Sequence, residues 1–139
     1  MKHNLILRVV SKFLIPLIFL FALYVQFHGD FGPGGGFQAG VIFSAALILY
    51  ALVFGVDTAK QIIPPFILRM LASLGVLIYA GTGIATLLLG GNYLEYGVLA
   101  STLVAGQHLG ILVIEMGVGM TVMSVMLIIF FAFAERGRA

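Results

Sequence analysis

Four stretches of mostly apolar residues, each long enough to cross a hydrocarbon core of about 30 Å as a helix, dominate this chain. They fall at 9–27, 36–56 and 66–89, with the last inside a longer apolar run over 98–134. Only 9% of the 139 residues are charged, against 62% apolar, whereas an ordinary soluble domain carries roughly 25% charged residues. Such a chain cannot coat a water-facing surface. The expectation is an all-α integral membrane protein, one membrane domain over 1–139, with four transmembrane helices. With no cysteine, disulfides and thiol chemistry are excluded.

The punctuation between the runs supports this division. Pro16 predicts a kink early in the first span. Pro64-Pro65 blocks helix before Phe66, and Gly90-Gly91-Asn92 reads as a turn that ends the third span. The run over 98–134 is too long for one simple crossing. A break at Gly106-Gln107-His108 is expected there, so that the fourth span covers 108–133 and 98–105 forms a surface or re-entrant piece. A cleaved signal peptide is the rival reading of the N-terminus. Phe27-His28-Gly29-Asp30 offers no small-x-small cleavage pattern and further spans follow, so retention as a helix is expected.

The seven Lys and Arg residues sit at positions 2, 8, 12, 60, 69, 136 and 138. Four spans put all of them on one side, and the positive-inside rule makes that side, with both termini, cytoplasmic. The opposite loops carry His28, Asp30 and Glu95, with Tyr93 and Tyr96 suited to the membrane interface. The bases form no single patch, which argues against nucleic acid as a partner.

Chemistry concentrates in few residues. Glu115 lies about two turns into the expected fourth span, where a carboxylate facing lipid costs a few kcal/mol, so it should face protein or water. Two readings stand: a station on a proton or cation path, or a helix–helix hydrogen bond. His108 is seven residues earlier, on nearly the same helical face, and imidazole is a common proton shuttle. It reads as a helix cap or headgroup anchor, with a role in the path as the sharper alternative.

The run from His28 and Gly29 through Pro33-Gly34-Gly35-Gly36-Phe37 to Gly40 is the most unusual in the chain. Gly34, Gly36 and Ala39 fit G-x-G-x-x-A, but no strand precedes them, so dinucleotide binding is rejected; no Lys-Ser or Lys-Thr follows, so no P-loop is present. These glycines permit positive φ and close backbone approach, and free N–H groups at the entry of the second helix could bind an anion. Gly36, Gly40 and Ser44 form a small-xxx-small ridge that lets another helix approach. The same holds for Gly106 and Gly110, and Gly117 follows Glu115 closely. So many small residues suggest that helices of other chains pack here. No Lys or Arg lies deep in a span, and Glu115 is the only acid that does, so the chain supplies one station of a path and not a whole pump.

The loop His28-Gly29 with Pro33-Gly34-Gly35-Gly36-Phe37 and Gly40, together with Glu115-Met116-Gly117-Val118, resembles the MnhB-like small subunits of the Mrp-type (Mnh or Pha) multisubunit sodium/proton antiporters. Length and four-span layout are similar, so the resemblance covers nearly the whole chain; many members of that family carry Asp where Glu115 stands. The resemblance implies a small subunit, without cofactor or metal, in a hetero-oligomeric complex of the inner or plasma membrane that exchanges sodium ions for protons. It makes transport, not enzyme catalysis, the expected activity. The equivalent subunit of a membrane-bound hydrogenase or complex I-like assembly is the nearest alternative, and a purely structural scaffold is another. A stand-alone small multidrug exporter is disfavoured, because the first span holds no acid and the chain has no Trp.

Overall fold

A computed structural model describes residues 5–29 and 32–137. Lys2, Asp30 and Arg138, which enter the charge and loop readings, lie outside the described residues. The elements are α1 (Leu5–His28), α2 (Gly36–Phe54), a short α3 (Val56–Ile62), α4 (Pro65–Leu88), a 3-10 turn (Tyr96–Leu99) and α5 (Leu103–Arg136). Four of these helices, α1, α2, α4 and α5, are long and apolar enough to cross a membrane.

Each boundary has a local cause. Pro16 lies inside α1. α2 stops because Gly55 takes φ 110°, a left-handed conformation natural to glycine. The chain then restarts as α3 within a segment that, read as sequence, continues the second span to position 56. The Pro64-Pro65 pair places Pro65 at the first helical position of α4, where the missing N–H costs nothing.

The fourth span departs most from expectation. α5 runs without interruption through Gly106-Gln107-His108 and begins at Leu103, so no break exists at those residues; of the 98–105 piece, 98–102 lies outside α5 and 103–105 forms its first turn. The true stop lies one turn earlier. Thr102 is extended (φ −125°, ψ 146°), and its Oγ1 accepts a hydrogen bond from the Ala105 N–H at 3.3 Å. It, and not His108, caps the helix. Gly106, which suggests a break, serves packing instead: it lies against the backbone of Tyr96 and Gly97, and its small-xxx-small partner Gly110 lies against the Tyr96 ring. The 3-10 turn is thereby held on the first turns of α5.

The helices form an open row. α5 packs along both α2 and α4, while α1 lies along α2 and meets α5 only slightly. In α1 and α4 just 17% of the most apolar window is buried within the chain, against 33% in α2, so the two flanking helices turn most of their surface outward. The contiguous apolar core, Ala51, Ala59, Leu68, Leu127 and Phe131, joins the end of α2, α3, the start of α4 and the end of α5.

That end also gathers bases. Arg8 and Lys12 share a cleft with Thr58 of α3, and Lys60 of α3 pairs with Glu135 near the end of α5. The Glu135 side chain is 63% exposed, and exposed pairs contribute little. Lys60→Ala is expected to lower the stability of the purified protein by under about 1 kcal/mol, read from thermal unfolding in detergent.

Candidate functional site

Because α5 starts at Leu103, Glu115 stands twelve residues into a 34-residue helix, roughly 18 Å from its start at 1.5 Å per residue. That is deeper than the two turns expected from sequence. The side chain is half-buried and turned toward the α1–α2 loop. A methyl built on Gly29 would lie 2.5 and 2.7 Å from its two carboxylate oxygens, and one on Gly35 would lie 3.1 Å from Oε1. The carboxylate therefore occupies space left open by glycines eighty or more positions away in sequence.

The loop is wound to allow this. After α1 it doubles back on the helix it has just left: the Gly32 N–H donates to the His28 carbonyl at 3.1 Å, and the Gly35 N–H donates to the Val25 carbonyl at 3.2 Å. Gly35 then takes φ 130°, a region closed to most side chains, and α2 starts at once with no side-chain cap. The first N–H groups of a helix lack intrahelical partners and its dipole favours negative charge there. Glu115 brings its carboxylate to this end of α2, so the anion that the glycine-rich entry could accept is supplied by the chain's own last helix. Directly behind, Gly36 abuts the Glu115 backbone; a Cβ at Gly36 would be 2.9 Å from the Glu115 Cα and would overlap its carbonyl.

The Gly36-Gly40-Ser44 ridge continues this contact. Gly40 faces Gly119 and Val122 of α5, and buried Ser44 donates to the Val41 carbonyl at 2.8 Å. On the opposite side of α5, Gly117 meets Gly75 and Ile78 of α4. Most of the small residues that suggest foreign helices are thus spent on contacts within the chain. Gly81 is one with open space around it.

The remaining motif residues spread out. His28 stacks on Tyr24 with ring centroids 5.0 Å apart. Pro33 and Phe37 are exposed, Phe37 by 61%. His108 is exposed on the second turn of α5, seven residues from Glu115, and has an interaction of its own. No group of three or more His, Cys, Asp or Glu suited to a metal ion occurs among the described residues.

Gln26 is a polar group that the sequence does not single out. It is 7% exposed, its Nε2 has no hydrogen-bond partner, and its Oε1 would lie 2.7 Å from a methyl on Gly119. Gly119 is one helical turn beyond Glu115 on the same face. Gln26 also lines a cavity of about 270 Å³ otherwise walled by apolar residues such as Phe43, Met116 and Met120. The available signal was a lone amide in an apolar run. An unsatisfied buried donor costs about 1–3 kcal/mol, so a water or an acceptor from another chain is expected to serve it.

Gly29→Ala checks the geometry directly. The added methyl must displace the Glu115 carboxylate, and overpacking of this kind costs about 1–3 kcal/mol. The expected result is a destabilisation of that size in thermal unfolding, with Glu115→Ala in the same chain removing only part of it, because the methyl also lies 2.8 Å from the Gly35 Cα.

Four long apolar helices, with one carboxyl deep in the last and turned into the protein, define a polytopic membrane protein with a protected ionisable group. A family model described as a domain related to the MnhB subunit of Na+/H+ antiporter matches residues 6–128, and the chain belongs to this family. Proteins named "Putative antiporter subunit mnhB2" from Staphylococcus aureus strains Newman, USA300 and NCTC 8325 are similar to it. Each is 36% identical over 134 residues, covering 88% of this chain and 94% of its own length.

Proposed function

We propose that this chain is a membrane subunit of a multisubunit Na+/H+ antiporter in which Glu115 serves as one station for a proton or cation. Membership of the MnhB-related family supports the first part. The observation that carries the second is the carboxylate at the N-terminus of α2, held between Gly29 and Gly35 some 18 Å along α5. A carboxyl so placed alternates between a charged form favoured by the helix end and a protonated form tolerated by the apolar surroundings. The Gln26 amide, which reaches α5 at Gly119 one turn beyond Glu115 and has an unserved Nε2 donor, is a natural next contact for water on that route. The base-rich end, with both termini, faces the cytoplasm by the positive-inside rule, in a bacterial plasma or inner membrane. The chain acts as a transporter subunit, with sodium ions and protons as cargo and the other subunits as partners.

A scaffold role is the second reading, and one observation favours it: the glycine contacts of α2 and α4 with α5 lock the chain's own helices together. Glu115→Gln separates the two, because glutamine keeps the length and an acceptor oxygen beside the start of α2 but carries no charge. In everted vesicles containing an assembled complex, the station reading predicts loss of cation-dependent proton exchange. Unchanged exchange would leave only the scaffold.

A further inference from the structure

The base-rich end holds two adjoining hollows that no part of the ion-path reading uses. The first is a cleft of about 440 Å³ between α1, α2 and α3, with Arg8, Lys12 and Thr58 on its polar wall and Ile15 and Tyr50 at its floor. The second is a partly enclosed slot of about 250 Å³ that shares Ile15 and Tyr50 and continues past Phe19, Leu47, Leu127 and Phe131. Arg8 and Lys12 are one helical turn apart and so lie on one face. The Arg8 guanidinium sits 5.3 Å from the centre of the Phe54 ring, a stacking contact that aims its planar fork. Thr58 Oγ1 makes only a long bond, 3.4 Å, to the Phe54 carbonyl, so it is readily turned to another acceptor. Asp57, the neighbouring acid on α3, is absent from the wall of the cleft, and Lys60 is engaged by Glu135.

We propose that these hollows form one binding site for an anionic phospholipid, with its phosphate against Arg8, Lys12 and the Thr58 hydroxyl and one acyl chain in the slot. The two halves of the site select for an amphiphile. A free phosphate would leave the slot empty, and a neutral lipid would bring no counter-charge to Arg8 and Lys12. A slot of about 250 Å³ is far too small to take in a transmembrane helix, which is about 10–12 Å across with its side chains. Basic pockets between helices near the membrane surface hold anionic headgroups by this chemistry, and the guanidinium fork matches phosphate oxygens in pairs. The lipid would wedge α1 against α2 and α3 where the chain's own packing leaves a gap.

The test uses the purified antiporter complex in nanodiscs of phosphatidylcholine, with and without phosphatidylglycerol. Native mass spectrometry and thermal unfolding are read together. The wild-type complex is expected to retain phosphatidylglycerol and to melt higher in its presence. The double variant Arg8→Gln, Lys12→Gln is expected to bind it roughly thirtyfold more weakly. Should that variant misassemble, Leu47→Phe narrows the slot without touching charge and is expected to lower lipid retention on its own. Equal retention by wild type and both variants would overturn the proposal. So would equal stabilisation by the zwitterionic lipid, equal stabilisation by inorganic phosphate, or a photo-crosslink from position 19 or 47 to another subunit.

Discussion

Gly36→Val is expected to prevent the folded subunit from accumulating. Gly36 is the first residue of α2, and its missing side chain lets α2 and α5 meet backbone to backbone at Glu115. A flexible neighbour could yield, but here the atoms met by a new Cβ are the Glu115 carbonyl and Cα, which cannot move without shifting α5 as a whole. Overpacking of a core costs about 1–3 kcal/mol when side chains can adjust, and with backbone on both sides the cost lies at or above the top of that range. Whole-protein stability is typically only about 5–15 kcal/mol, so a branched side chain should remove most of the subunit from the membrane. Immunodetection of the membrane fraction checks this, with Gly81→Val as the control. Gly81 faces open space, and its variant should accumulate normally.

Glu115→Gln is the second large effect, and it acts on exchange while sparing assembly. Glutamine has the same length and keeps an acceptor at the start of α2, so the α2–α5 contact survives. It cannot release or take up a proton. A positioned group that transfers protons commonly contributes about 10²–10⁴-fold, so exchange at constant complex abundance should fall by at least roughly a hundredfold. Glu115→Asp retains the ionisable group but withdraws it by one methylene from the Gly29–Gly35 cradle, and an intermediate loss is expected.

The four long helices were legible because their signal is local: twenty apolar residues in a row meet one physical requirement, and membrane spans satisfy every backbone group within the helix. The signals that failed were those in which a residue's role depends on a distant partner. Gly106, in Gly106-Gln107-His108, looks like a helix breaker in isolation, yet glycine is tolerated inside membrane helices, and the Tyr96 turn that packs on it and on Gly110 lies outside the helix. Thr102, a modest residue in a polar pair, carries the actual helix start through one hydrogen bond. Gly55 ends α2 early, although Val56 continues the apolar pattern beyond it.

The candidate site divides the same way. Glu115 was visible as a lone acid deep in a span, and the glycine loop as an unusual run, each from its own residues. Their juxtaposition was not, since it arises from α5 lying along α2 after three intervening elements. The small-residue ridges could be read as contact surfaces, but not which helix each would meet. Gln26 gave almost no signal, because a single amide among apolar residues matters only once its burial and its empty Nε2 are seen.

The direction in which the Glu115 carboxyl points decides between a sheltered station and a group exposed to lipid, and carbodiimide labelling of the native complex reads it directly. A lipid-soluble carbodiimide and a water-soluble one are compared, with peptide mass spectrometry at Glu115. With the oxygens turned against Gly29, Gly35 and the start of α2, labelling from the lipid phase should be slow. Rapid modification of Glu115 by the lipid-soluble reagent would place the carboxyl among acyl chains and contradict its assignment as a protected station.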